Sequence, residues 1–233
     1  MALAVLAAFA GAAVQSATGL GFALVLTPAL FAVLEPTEAV TAVLLLGAAL
    51  CLLVLVESRG VTMHGLPRLL VPALPGLGLG LLVITALAKE PLQVGVGLVV
   101  TAAAAWQLRH RAPVRLPALA AGFLSGVLTT SIGVNGPPLA LWLESERVPP
   151  DVFRATLAAA FLILDIAGVA VLVSSEGLET VDPGVVGPLL AAVAAGYALG
   201  AAAFRRIDAR RFSTVVLVVV ICTGMASVFA GIL

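Results

Sequence analysis

Thr129-Thr130-Ser131-Ile132-Gly133-Val134-Asn135-Gly136-Pro137-Pro138 is the stretch on which the fold turns. It lies in the middle of an uncharged run, 116–143, longer than the ~20 apolar residues one bilayer crossing needs. Glycine admits positive φ, and a Pro-Pro pair disfavours helix on its N-terminal side, so a helix entering this stretch must break. At membrane depth such a break survives only where it is buried in protein or faces a watery cavity. A second uncharged run, 1–34, carries the same device: Gln15-Ser16-Ala17-Thr18-Gly19-Leu20-Gly21, followed by Pro28.

The rest of the chain supports the membrane setting. Of 233 residues, 62% are apolar and 10% charged, against ~45–50% and ~25% in soluble domains. The mean hydropathy of +1.21 leaves too little polar surface to wet a globule of this size, which excludes an ordinary soluble enzyme. Twelve Lys+Arg balance twelve Asp+Glu, so there is no basic face for nucleic acid and no acidic tail. Cys51 and Cys222 both lie in apolar runs, without the spacing of a disulfide framework or zinc site. No metal or cofactor is expected. Further apolar runs occur at 39–56, 69–88, 91–108, 155–175, 183–204 and 212–233, the one at 155–175 interrupted by Asp165. The opening run lacks a basic start and exceeds signal-peptide length, so it reads as structure. The expectation is an all-α polytopic membrane protein.

Charge placement decides between crossings and re-entrant hairpins. Basic connectors are 57–68 (Arg59, Arg68), 109–115 (Arg109, Arg111, Arg115) and 205–211 (Arg205, Arg206, Arg210, Arg211). Acidic ones are 35–38 (Glu35, Glu38) and 176–182 (Glu176, Glu179, Asp182). If every run crosses, two basic connectors fall on opposite faces. If 1–34 and 116–143 dip in and return, all basic connectors lie inside and the acidic ones outside. Two re-entrant hairpins with six full spans satisfy the rule better; plain crossings remain the alternative.

The two broken runs also align. A shift of 114 residues lays Phe9 on Phe123, Ser16 on Thr130, Gly19 on Gly133 and Leu20 on Val134. A shift of 113 lays Glu38 on Asp151 and Ala42 on Ala155. Gly76-x-x-x-Gly80 echoes Gly196-x-x-x-Gly200, a spacing that lets helices approach closely. Residues 1–112 and 113–233 therefore read as two repeats, each a broken or re-entrant hairpin plus three transmembrane helices. An odd number of crossings per repeat inverts one copy relative to the other. Paired broken helices in inverted repeats point to a secondary transporter with a midplane site.

Such a site would suit a small oxyanion. Helix N-termini supply free N–H groups and a positive dipole end. Two hairpins meeting tip to tip would add the hydroxyls of Ser16, Thr18, Thr129, Thr130 and Ser131 and the amides of Gln15 and Asn135. Gly19, Gly21, Gly133 and Gly136 would let backbone come close. Against this, Ser and Thr in helices commonly bond their own backbone. Arg154, near the start of its helix, either binds the anion or snorkels to the interface. Asp165 alone among the ionisable residues lies deep in a span, which by default marks function; it either carries a proton or is a structural hydrogen-bonding group. Cys51 aligns near it and is assigned no role. Trp106, Trp142 and Tyr197 read as interfacial or packing aromatics. Gly19-x-Gly21 lacks the strand–turn–helix setting of a dinucleotide site.

The chain resembles the TauE/SafE family of sulfite exporters. The likeness rests on Gly11…Gln15-Ser16…Gly19-x-Gly21…Pro28 and its echo Gly122…Gly126…Gly133…Gly136-Pro137-Pro138. It continues through Phe153-Arg154-Ala155-Thr156 and Gly196…Gly200…Arg205-Arg206-Ile207…Arg211-Phe212. Members often carry a denser glycine run than Gly19-Leu20-Gly21-Phe22. The resemblance implies a transporter of the bacterial cytoplasmic membrane, without a catalytic centre, exporting sulfite or a related sulfur-containing oxyanion or organosulfonate. Alternating access, with or without proton coupling, is the expected mechanism. An anion channel using the hairpins as a filter, or an uptake permease for organosulfur anions, are the alternatives. Oligomeric state is not legible in the sequence.

Overall fold

A computed structural model describes residues 1–109, 116–176 and 183–204, together with position 225. All regular structure among them is helical: α1 (Ala2–Thr18), α2 (Phe22–Phe31), α3 (Pro36–Glu57), α4 (Leu66–Ala86), α5 (Lys89–Arg109), α6 (Ala118–Ile132), α7 (Gly136–Ser145), α8 (Pro150–Glu176) and α9 (Pro183–Phe204). Among the described residues α3, α4, α8 and α9 contain stretches long and apolar enough to cross a membrane, while α1, α2 and α6 are shorter apolar helices. The run 212–233 apart from position 225, and most of the charged connectors 109–115, 176–182 and 205–211, lie outside the described residues.

Both expected breaks are present, and each folds the chain back on itself. Helix α1 ends at Gly19, whose left-handed backbone (φ 84°) lets its N–H reach Gln15 O. Leu20 and Gly21 complete the reversal and bring Phe22 back beside Gly11, where an added Cβ would lie 2.9 Å from Phe22 O. Helix α6 ends likewise at Gly133 (φ 71°), with Gly133 N–H directed at Thr129 O and Val134 N–H at Leu128 O. Ser125 Oγ then donates to Asn135 O at 2.8 Å, tying the returning chain to α6. Helices α1 and α2 thus form one hairpin, α6 and α7 another.

Each hairpin is clamped by a helix distant in sequence. A Cβ on Gly76 or Gly80 of α4 would strike the α6 backbone at Phe123 and Val127. Reciprocally, one on Gly122 or Gly126 of α6 would strike the carbonyls of Leu69 and Ala73 on α4. Helix α9 approaches α1 in the same way, Gly196 against Phe9 O and Gly200 against Ala13 O and Ser16 Oγ. In lipid, where apolar side chains gain nothing by leaving the solvent, such backbone-to-backbone contact is what joins helices. Val71, Leu74 and Leu82 on α4, and Leu119 on α6, are exposed, as lipid-facing residues would be. Helices α3 and α8 pack together between the clamps, with Gly168 of α8 against Leu44 of α3 and Gly47 of α3 against Asp165 of α8. The chain is a multi-pass membrane protein of helices alone among the described residues.

Candidate functional site

Each break is tied to the central pair α3 and α8 through buried polar groups. Gln15 is the first. Its Oε1 accepts from Phe22 N–H at 3.2 Å, satisfying the opening donor of α2, and its Nε2 points to Cys51 Sγ on α3 at 3.6 Å. One turn before Cys51, Gly47 makes room for Asp165 of α8: an added Cβ there would stand 2.8 Å from Asp165 Oδ2. The other carboxylate oxygen, Oδ1, accepts from Asn135 Nδ2 at 2.8 Å. Asn135 is the N-cap of α7. A polar thread therefore leads from the first break, by Gln15 and Cys51, to α3, and from Asp165 on α8 to the second break. Asp165 is 4% exposed and Asn135 5%, so both depend on protein partners rather than water.

Elsewhere the hairpins touch through apolar and small groups. Leu20 of the first break lies against Gly136 of the second, where a Cβ would collide with it. Gly133 faces Val43 of α3 and Thr27 of α2. Leu20 thus meets the second break directly, while Gly133 lies against the flank of α2.

The hydroxyls expected to line the site have their protons engaged. Ser16 donates to Ala13 O (2.9 Å), Thr129 to Ser125 O (2.6 Å) and Ser131 to Val127 O (2.7 Å), all within their own helices. Thr18 reaches both Val14 O (3.0 Å) and Leu20 O (2.7 Å). Thr130 crosses to α4 and donates to Leu77 O at 2.7 Å, so it helps hold the clamp. Helical donors are also fewer than a helix start usually offers. Of the first three residues of α7 only Gly136 has an N–H, because Pro137 and Pro138 bring none. The first turn of α2 keeps the N–H groups of Ala23 and Leu24, which have no partner four residues back within that helix.

One residue escaped the sequence reading. Thr27 is wholly buried and its Oγ1 has no hydrogen-bond partner. That oxygen lies 3.8 Å from where a Cβ on Gly133 would stand, so an unspent hydroxyl points at the second break. Its position immediately before Pro28, inside a half-helix, is the signal that could have marked it. Ser125 and Thr156 are two further buried hydroxyls of structural use: the first ties Asn135 O, the second accepts from His64 N–H at 2.9 Å.

Arg154 sits beside the first break, its Cα 3.4 Å from the position a Cβ on Gly19 would take. It pairs with Glu57, Nη2 to Oε2 at 2.7 Å. Tyr197 OH lies 3.1 Å from the same oxygen and 3.2 Å from Leu53 O, so its single proton serves one or the other. At the same end of the bundle Trp142 stacks on His64, ring centroids 5.6 Å apart, and His64 Nε2 lies 3.1 Å from Glu146 Oε2. Both aromatics, expected only to pack or anchor, thus have polar neighbours.

No curated protein and no solved structure matches the chain. Residues 3–227 match the family described as sulfite exporter TauE/SafE. A match over nearly the whole chain, on a bundle of apolar helices built around two broken hairpins, places the protein in the TauE/SafE family of sulfite exporters, membrane transporters of small anions.

Proposed function

We propose that the protein is a secondary transporter of the bacterial cytoplasmic membrane that exports sulfite, or a related sulfur oxyanion or organosulfonate, by alternating access. The carrying observation is the pair of broken hairpins that abut at Leu20 and Gly136 and are each tied to the central pair α3 and α8, by Gln15–Cys51 and Asp165–Asn135. Residues 1–112 and 113–233 act as inverted repeats, a reading supported by the exchanged clamps, α4 on the second hairpin and α9 on the first. Both hairpins enter the membrane and return. The anion sits where the breaks abut, near Gly19, Gly21, Gly133 and Gly136. Donors come from Gly136 N–H, the first turn of α2 and the amide of Gln15 or Asn135 once it leaves its present partner. The hydroxyls of Ser16, Thr18, Thr129, Thr130 and Ser131 join only by giving up a backbone carbonyl. Small-residue seams at both clamps let a hairpin slide without opening a large void. No catalytic centre takes part.

Counterflow in proteoliposomes tests this. Preloaded unlabelled sulfite should accelerate uptake of labelled sulfite several-fold, and saturably; a current that grows without saturation would make the protein a channel. Orientation is tested by impermeant thiol labelling. Arg59→Cys should react from the cytoplasmic side and Ala88→Cys from outside, since α4 lies between them; labelling of both from one side sinks the proposed topology.

A further inference from the structure

We propose that Glu57 is a tethered competitor for the transported anion, its carboxylate holding Arg154 until an oxyanion such as sulfite displaces it. The inference rests on the transporter reading above and assigns the substrate its first seat. Arg154 is the cation of this seat, and its geometry shows that Glu57 fills it incompletely. Only Nη2 meets the carboxylate, at 2.7 Å, while Arg154 Nε is buried and has no partner. A guanidinium presents its donors as a planar fork suited to two oxygens at once. Glu57, the last residue of α3, approaches one prong of that fork. A trigonal oxyanion with three oxygens on one centre can take Nη2 and Nε together, and so satisfy the buried N–H that Glu57 leaves empty.

The surroundings suit exchange. The Glu57 side chain is 41% exposed and that of Arg154 20%, so water and a dissolved anion reach the pair, and an ion pair so placed is weakly held. Tyr197 OH, at 3.1 Å from Glu57 Oε2, gives the carboxylate a second anchor from α9. The backbone of Arg154 packs on Gly19, so replacing one anion by another takes place against the first break. Four elements meet here: α3 through Glu57, α8 through Arg154, α9 through Tyr197 and the α1 C-terminus through Gly19. In the positive-inside orientation this is the cytoplasmic end, where an exported anion arrives.

Thermal-shift titration of the purified full-length protein with sodium sulfite, at ionic strength matched with chloride, tests the proposal. Removing the competitor should tighten sulfite binding. The midpoint should fall about two- to fivefold in Glu57→Gln, the range a weak exposed pair can supply. Glu57→Asp, which keeps the charge but shortens the reach to Arg154, should fall in the same direction, and Arg154→Gln should remove the response. A purely structural ion pair would instead lower the melting temperature in both Glu57 variants and leave the midpoint where it was or raise it. That result overturns the proposal, as does the absence of any sulfite response in the wild type and both variants. Wild-type counterflow separates the two readings. Binding without counterflow sinks the transporter and leaves the seat; counterflow with an unmoved midpoint in both Glu57 variants sinks the seat alone.

Discussion

Asp165→Asn should leave the protein folded in the membrane and flatten the pH dependence of sulfite transport. The carboxylate is buried at 4% exposure and touches Asn135 Nδ2 at 2.8 Å. Placing a charge at such depth costs at least ~2.5–3.5 kcal/mol on insertion scales. An anion arriving nearby raises the cost further: at ~7 Å and an effective dielectric constant of ~20, two like charges repel by about 2 kcal/mol, or roughly thirtyfold in affinity. We expect Asp165 to be protonated whenever the anion is bound, and the wild-type rate to fall as rising pH removes that proton. Asparagine is neutral at every pH, and its side-chain oxygen still accepts from Asn135, so its rate should stay level across the range in which the wild type declines. Asp165→Leu separates structure from coupling. It strands the Asn135 amide at a cost of about 1–3 kcal/mol, and should lower the melting temperature as well as activity. Initial rates in proteoliposomes at stepped pH, with melting curves of all three proteins, check this. A wild-type pH profile in Asp165→Asn would remove Asp165 from the coupling step.

What could be read in advance divides along physical lines. Gly19 and Gly133 were legible as breaks because a glycine in an apolar run beside Gly21 or Pro137-Pro138 has few other uses, and both take left-handed backbone. Asp165 was legible as an outlier because charge is costly at depth. Its partner was not: Asn135 lies thirty residues away, and only the packing of α7 against α8 joins them. Cys51, assigned no role, receives the Gln15 amide for the same reason. The hydroxyls show a different limit. Composition places Ser16, Thr129 and Ser131 at the breaks, but side-chain rotamer decides whether a hydroxyl faces the site or its own helix, and here each bonds its helix. The exchanged clamps are invisible along the chain, since Gly76-x-x-x-Gly80 announces a close neighbour without saying which. The two roles left open for Arg154, anion ligand or interfacial anchor, meet a third partner in Glu57.

Gly133→Val should abolish transport while the protein still reaches the membrane. Two independent costs fall on this residue. Its φ of 71° lies in the left-handed region, where an L-residue pays about 1–2 kcal/mol and a β-branched side chain more. The new Cβ would also stand 3.3 Å from Val43 Cγ1, and the branches beyond it would press on Val43 and towards Thr27. Neither cost is large enough to unfold a bundle whose helices are clamped elsewhere, so the damage should stay at the break. The chain can relieve the strain only by moving the turn between α6 and α7, which shifts Asn135 from Asp165 and Leu20 from its place against Gly136. Gly133→Ala carries the backbone cost and the Cβ contact but none of the branches, and should transport at a rate reduced about fivefold, in line with the lower figure. Thr27→Val removes the unspent hydroxyl with almost no change of shape; a loss of sulfite affinity without loss of stability would show that this hydroxyl reaches the anion. Surface expression and counterflow, measured together on the three variants, give the ranking. Unimpaired counterflow in Gly133→Val would mean that the second break has no part in passing the anion.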